Sequence, residues 1–460
     1  MLIINHKEIL NELSKDVDLS DDNIMSILKR AEKLKGLNYD DATTLLKVED
    51  KTLINKIFKS AEYVKDEIYG KRLVLFAPLY VSNVCNNECL YCAFRKSNKT
   101  IKRNTLNMEQ IKKEAEALIK QGHKRVLLVS GEGLGKKALP YTLDALKAIY
   151  SVKNKKGNIR RVNVNIAALD VEDYKKLKKA NIGTYQLFQE TYHKETYEYM
   201  HQKGSKADYN YHLEAMDRAM EAGIDDVGIG VLFGLYDYKY EMLALFQHIK
   251  HLENRFGFGP HTISVPRLEP ATGSDVASNP PYPLSDIDFK KIIAILRLTI
   301  PYTGIILSTR ETAETRKEAL NLGISQISAG SRSNPGGYSE ENQSNEQFSL
   351  GDHRSLHEVI EDIVDFGFVP SFCTGCYRLG RVGADFMDLA KPGAIKAHCY
   401  PNAIFSFSEY LEDFADSNLR KKGYDLIKNM MKTEIKKEKI REEIKIALDD
   451  IQSGKRDVYV

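Results

Sequence analysis

"LVLFAPLYVSNVCNNECLYCAFRK", residues 73–96, sets an apolar run directly before three cysteines, Cys85, Cys89 and Cys92, spaced CxxxCxxC. The run 73–81 reads as a β-strand, and Cys85 follows its end by four residues. Seven further strands are predicted downstream: RVLLVS (125–130), RVNVNIA (161–167), TYQLFQ (184–189), DVGIGVLF (226–233), HTISV (261–265), GIILST (304–309) and ISQISA (324–329). Amphipathic stretches such as MEQIKKEAEALIKQG (108–122) and YHLEAMDRAMEAG (211–223) lie between them, with Gly122 and Gly223 where helix C-caps belong. Alternation repeated eight times predicts an α/β protein, a (β/α)8 TIM-type barrel, with a doubly wound open sheet as the alternative. The cysteines then sit at the C-terminal face, where barrel active sites are built.

Around this core the chain divides into three. Residues 1–70 read as an N-terminal helical extension, because Ile24, Ile27, Leu28, Ala31 and Leu34 keep helical spacing between Ser20 as N-cap and Gly36 as stop. Residues 71–335 form the barrel. Residues 336–460 make an α-rich C-terminal domain whose last helix carries the stripe Ile440, Ile444, Leu448 and Ile451. The polar stretch SRSNPGGYSEENQSNEQFSLGD (331–352) is too long for an ordinary connection and reads as a functional or a flexible loop.

Composition excludes several functions. With 67 basic and 64 acidic residues the net charge is +3, too small a field for nucleic acid or an anionic membrane, so small molecules and proteins are the expected partners. No window approaches 18 uncharged apolar residues and the N-terminus turns charged too early for a signal peptide, which predicts a cytoplasmic protein. Six cysteines in 460 residues are no disulfide scaffold. They fall into two triads, Cys85/Cys89/Cys92 and Cys373/Cys376/Cys399, with none between.

A tetrahedral zinc site wants four ligands, whereas a 4Fe-4S cubane held by three thiolates keeps one iron open for a substrate or cofactor. Zinc and inert thiols are the alternatives. CxxxCxxC after a first barrel strand resembles the radical SAM superfamily. The resemblance implies a 4Fe-4S cluster whose open iron chelates S-adenosyl-L-methionine (SAM) and, once reduced, yields a 5'-deoxyadenosyl radical. It places Tyr91 against the adenine. "SGEG" (Ser130, Gly131, Glu132, Gly133) then corresponds to the GGE motif at the methionyl amino group, departing from it at the first glycine; an ordinary strand-to-helix turn is the alternative. Asn165, Glu190, Gly228 and Gly230 take positions of ribose, methionyl and adenine contacts, although either glycine serves equally as a close-packing residue.

The second triad, CxxC-x22-C, has His398 next to Cys399 and so admits a zinc site of three cysteines and one histidine. Neighbouring side chains on an extended chain point apart, which disfavours joint ligation. Two triads on one barrel, with LFQETYH (187–193), GPHTISVPRLEPA (259–271) and LSTRE (307–311), resemble the HydG family, the tyrosine lyases of FeFe-hydrogenase maturation. That resemblance implies cleavage of the Cα–Cβ bond of L-tyrosine to p-cresol and dehydroglycine, the latter becoming carbon monoxide and cyanide at an auxiliary 4Fe-4S cluster on Cys373, Cys376 and Cys399. It gives His261 an extra iron there, which requires the C-terminal domain to plug the far mouth of the barrel; from position alone His261 is a packing residue. Product would pass by transient contact with hydrogenase maturation proteins. Arg310, helped by Ser308, suits the tyrosine carboxylate, with a structural ion pair to Glu311 as the alternative. The other functions weighed are a tyrosine lyase for thiamine thiazole synthesis, which lacks a second triad, and an iron-sulfur cluster carrier.

Overall fold

The computed structural model describes residues 2–339, 345–391 and 393–460. Eight parallel strands form the barrel: β1 (Arg72–Ser82), β2 (Arg125–Ser130), β3 (Arg161–Asn165), β4 (Tyr185–Gln186), β5 (Val227–Gly230), β6 (Thr262–Ser264), β7 (Gly304–Leu307) and β8 (Ile324–Ser328). They pair in chain order, and β8 closes on β1 through Val74–Gln326, Leu75–Ile327 and Phe76–Ser328. Closure settles the architecture against an open sheet. A ninth strand, β9 (Val369–Ser371), comes from the C-terminal segment and pairs with the first residues of β1, Arg72 with Val369 and Val74 with Ser371.

Helices begin and end where the side chains dictate. Met108–Gln121 opens with a reciprocal Asn107/Gln110 capping box and closes at Gly122, whose φ of 106° is the left-handed conformation glycine adopts without a Cβ penalty. Four helices, His6–Ser14, Asp21–Ala31, Tyr39–Leu46 and Lys51–Ile68, precede β1, each capped by its own side chain, Asn5, Ser20, Asn38 and Asp50. Ile24, Ile27, Leu28 and Ala31 are buried as the spacing predicts. Leu34 falls outside the helix, at a φ of 64°, because the chain has already turned before Gly36.

The barrel lumen departs from the usual branched apolar filling. Asn163, Thr184, Gln186, Thr262, Ser264, Gln326 and Ser328 are buried at strand positions that alternate with core-facing apolar residues. A lumen of this kind solvates a small polar molecule.

Helix Lys396–Asp413 packs on β9 and is covered by helices Ser417–Thr433 and Glu438–Gln452; the last buries Ile444 and Ile451 fully and Ile440 and Leu448 partly. His398 and Cys399 lie in that first helix, not on an extended chain, so the argument from extended geometry fails; on a helix the two still diverge by about 100°. Gly70, at a φ of 61°, lies so close to Tyr400 that an added Cβ would stand 1.6 Å from its hydroxyl oxygen. Gly70→Ala combines that clash with a strained φ, and a loss of about 3 kcal/mol or more in chemical unfolding is expected.

Candidate active site

A cavity of about 220 Å³ opens at the C-terminal ends of the strands, walled by Cys85, Cys89, Cys92, Tyr91, Glu190 and Arg310 among others. The cysteine loop is fixed by backbone bonds, Leu90 N–H to Met200 C=O and Glu88 N–H to Lys203 C=O. Arg103 reinforces it by donating to the carbonyls of Asn83, Phe94, Arg95 and Asn98 at 2.6–2.8 Å. Burial pushes the Cys85 thiol up to about 11 and raises Cys89 and Cys92 as well. A metal centre must therefore displace their protons as it binds.

Sulfur spacing bears on what fits. Among the described residues, the trio of ligand atoms that gathers within 4.8 Å is the surface set His357, Glu361 and Asp416; neither cysteine triad closes that far. One tetrahedral zinc, with Zn–S near 2.3 Å, draws its sulfurs to about 3.8 Å. Neither triad is gathered as tightly as one zinc would draw it.

The residues expected near SAM fall into two groups. Tyr91, Ser130, Gly131, Glu132, Asn165 and Glu190 all face the cavity, whereas Gly228 and Gly230 do not line it. A Cβ at Gly228 would meet Thr262 Oγ1 at 2.5 Å, and one at Gly230 would meet Phe188 Cδ1 and Ser264 O at 2.8 Å, which is the close-packing role. Tyr91 Oη lies 2.8 Å from His201 Nε2, while His201 Nδ1 donates to Tyr197 O at 2.8 Å, so the tyrosine hydroxyl is the donor to a neutral imidazole. Burial holds His201 well below the usual histidine range. Glu132 Oε2 accepts from Asn87 Nδ2 at 2.7 Å and Ser205 Oγ at 3.1 Å, tying SGEG to the cysteine loop. Glu190 sits at a φ of 69°, unusual for a non-glycine residue, and pairs with buried Lys206 at 2.6 Å. Asn165 Nδ2 donates to Gln186 O at 3.0 Å.

Arg310 is not paired with Glu311. That acid turns to Arg267, whose Nε lies 3.0 and 3.1 Å from its two oxygens. Arg310 instead stacks on Phe348, 3.3 Å from the ring centroid, and its guanidinium donates weakly to Arg267 O at 3.5 Å. Burial lowers its pKa, opposed by Tyr80 and Glu190, yet a guanidinium stays charged. Among the described residues no carboxylate pairs with this cation, which looks into the cavity with Ser308 on the same wall.

Cys373, Cys376, Cys399 and His261 lie at the opposite, N-terminal mouth. His261 packs on Phe386, ring centroids 4.1 Å apart, and faces Tyr377, so the C-terminal segment does cover this end. Burial lowers the His261 pKa, leaving a neutral ring able to bind a metal, with Asp226 3.4 Å from Nδ1. Burial raises Cys373 and pushes Cys376 up to about 12. His398 Nδ1 takes a 2.8 Å bond from Arg381 Nη1.

Sequence reasoning missed Lys206, His201, Arg103, Gln347 and Phe348. Gln347 and Phe348 belong to the long polar stretch, of which 340–344 lie outside the described residues. Tyr80 Oη donates to Gln347 Oε1 at 2.7 Å, which turns the Gln347 amide nitrogen toward Cys92 Sγ, 3.6 Å away.

Residues 79–249 match the radical SAM superfamily and residues 264–369 the Biotin and Thiamin Synthesis associated domain. A 2-iminoacetate synthase of Salmonella typhimurium is 32% identical over 358 residues, 77% of this chain and 92% of that protein. The crystal structure of HydG, a maturase of the [FeFe]-hydrogenase, is 51% identical across 100% of both chains, with a TM-score of 0.96. HydG from Carboxydothermus hydrogenoformans is 44% identical over 96% of this chain and 97% of its own, with a TM-score of 0.84. Both domain matches end before Cys373, whereas the likeness to HydG runs through the second triad. The chain belongs to the radical SAM superfamily and, within it, to the family of the [FeFe]-hydrogenase maturase HydG.

Proposed function

We propose that the protein is a radical SAM carbon–carbon lyase that cleaves L-tyrosine to p-cresol and dehydroglycine at one mouth of the barrel, and turns dehydroglycine into carbon monoxide and cyanide at the other. The observation that carries this reading is the placement of two cysteine triads at opposite ends of one polar-lined barrel, with an arginine beside the first that no carboxylate pairs among the described residues. Superfamily membership implies a 4Fe-4S cluster and SAM, which together supply a 5'-deoxyadenosyl radical on reduction.

Cys85, Cys89 and Cys92 would hold that cluster. Glu132, Glu190 and Asn165 offer acceptors and a donor for the amino and hydroxyl groups of SAM, and Lys206 holds Glu190 in place by its ion pair. Arg310 holds the tyrosine carboxylate, with Ser308 beside it; the rest of the wall excludes water, which a radical reaction requires. Removing a hydrogen atom from the amino group lets the Cα–Cβ bond break into dehydroglycine and a 4-hydroxybenzyl radical. One electron and one proton convert that radical to p-cresol. Dehydroglycine then balances as carbon monoxide, hydrogen cyanide and water. We assign this second stage to the far mouth, where Cys373, Cys376 and Cys399 would hold an auxiliary cluster and neutral His261 an extra iron. Six free thiols suit a reducing cytoplasm, and hydrogenase maturation proteins are the receivers of the product.

Anaerobically reconstituted protein, given SAM, dithionite and tyrosine, is expected to form p-cresol, 5'-deoxyadenosine, cyanide and carbon monoxide. A cluster carrier forms none of them. A thiazole-type lyase forms the first two without carbon monoxide, and that result would overturn the second stage alone.

A further inference from the structure

Three successive barrel strands are entered by a doubled basic pair: Lys71–Arg72 at β1, Lys124–Arg125 at β2 and Arg160–Arg161 at β3. The period of two turns the second residue of each pair toward the barrel axis, in line with Phe76, Leu127 and Asn165 of the cavity wall above. Arg72 and Arg125 are only 9% and 7% exposed. Arg125 donates Nη1 to Cys373 O at 3.1 Å. The Arg72 side chain has no hydrogen bond or ion pair among the described residues, only the Tyr69 ring at 5.8 Å, and the Nε of Arg72, Arg125 and Arg161 is buried without an acceptor among them. Both Arg72 and Arg125 bear on His261 as well.

A buried guanidinium left without a counter-charge costs several kcal/mol, a cost that an anion seated against it would offset. The planar fork matches a carboxylate. Asp226, whose oxygens also lack hydrogen bonds, stands on the His261 side and repels a carboxylate toward the arginines. We propose, resting on the two-stage reading above, that Arg72 and Arg125 form a carboxylate site at the foot of the barrel, seating a two-carbon imino or oxo acid against the second cysteine triad.

The test uses the reconstituted full chain as wild type, Arg72→Gln, Arg72→Lys and Arg125→Gln, matched for iron content. Sodium glyoxylate is titrated into dithionite-reduced protein while the EPR signal of the second cluster is followed. Glyoxylate is expected to shift the wild-type signal, chloride to leave it, and the apparent Kd to rise about tenfold or more in Arg72→Gln. In turnover, the ratio of carbon monoxide to p-cresol falls by about the same factor, and glyoxylate, the hydrolysis product of escaped dehydroglycine, accumulates with ammonia. Should Arg72→Gln lose its second cluster, Arg72→Lys carries the test, since it keeps the charge but not the fork. A wild-type signal indifferent to glyoxylate, or equal affinity in wild type and the Arg72 variants, overturns the site. Arg72-dependent glyoxylate binding in a wild type that forms no carbon monoxide would sustain the site and sink the two-stage reading instead.

Discussion

Replacing Cys373 and Cys376 by alanine is expected to lower carbon monoxide formation by about a hundredfold or more, while p-cresol production survives within about threefold. The asymmetry follows from placement. The two residues belong to the N-terminal mouth, and Cys373 meets the barrel proper through the bond from Arg125 to its carbonyl, which an alanine retains. Nothing in the cavity around Cys85, Cys89 and Cys92 is built from the C-terminal helices. The converse change, Cys92→Ala, should abolish p-cresol, 5'-deoxyadenosine and carbon monoxide together. Gas chromatography for carbon monoxide and liquid chromatography for p-cresol in the same vial measure both. Loss of p-cresol in a Cys373/Cys376 variant with an intact circular dichroism spectrum would sink the division between the two mouths.

The second large effect is at Arg310. Arg310→Leu should lower kcat/KM for tyrosine by about two to three orders of magnitude, the usual consequence of taking away one partner of a desolvated charge pair. Arg310→Lys should recover little, because a point charge does not reproduce the two-pronged contact. Stability separates this from a structural role. Among the described residues Arg310 has no carboxylate partner to strand, so the tyrosine-free Arg310→Leu protein should unfold no earlier than the wild type. Arg267→Leu should behave the opposite way: Glu311, 1% exposed at its side chain, would lose its partner, at a cost of about 3–5 kcal/mol. An Arg310→Leu enzyme with unchanged kcat/KM would remove the proposed carboxylate contact.

Much of this was legible before any coordinates. The eight strands stand where alternation and apolar runs predict them, since a parallel strand covered on both faces announces itself as an apolar run. The cysteine triads were readable because spacing alone distinguishes three thiolates from four. Partners joined across the chain were not legible. Nothing local marks Lys206 among many lysines as the one that meets Glu190, or directs Glu311 to Arg267 rather than to its neighbour Arg310. The short β4, two residues long, was predicted at six because the chain goes on bonding to β5 beyond it, Leu187 N–H to Gly228 C=O and Gln189 N–H to Gly230 C=O. The doubled basic pairs were visible in sequence but carry meaning only once pleat and closure aim them at one point.

Strand β1 has a further consequence. Among the described strands it alone pairs with three neighbours, and its two ends lead to the two cysteine triads: the cysteine loop leaves its top, and β9, two residues short of Cys373, is stitched to its base. Eleven residues at about 3.3 Å each make it a ruler some 35 Å long. Loops at either end can change, but the distance between the two cysteine triads is set by one rod that tolerates neither a deletion nor a slip of register.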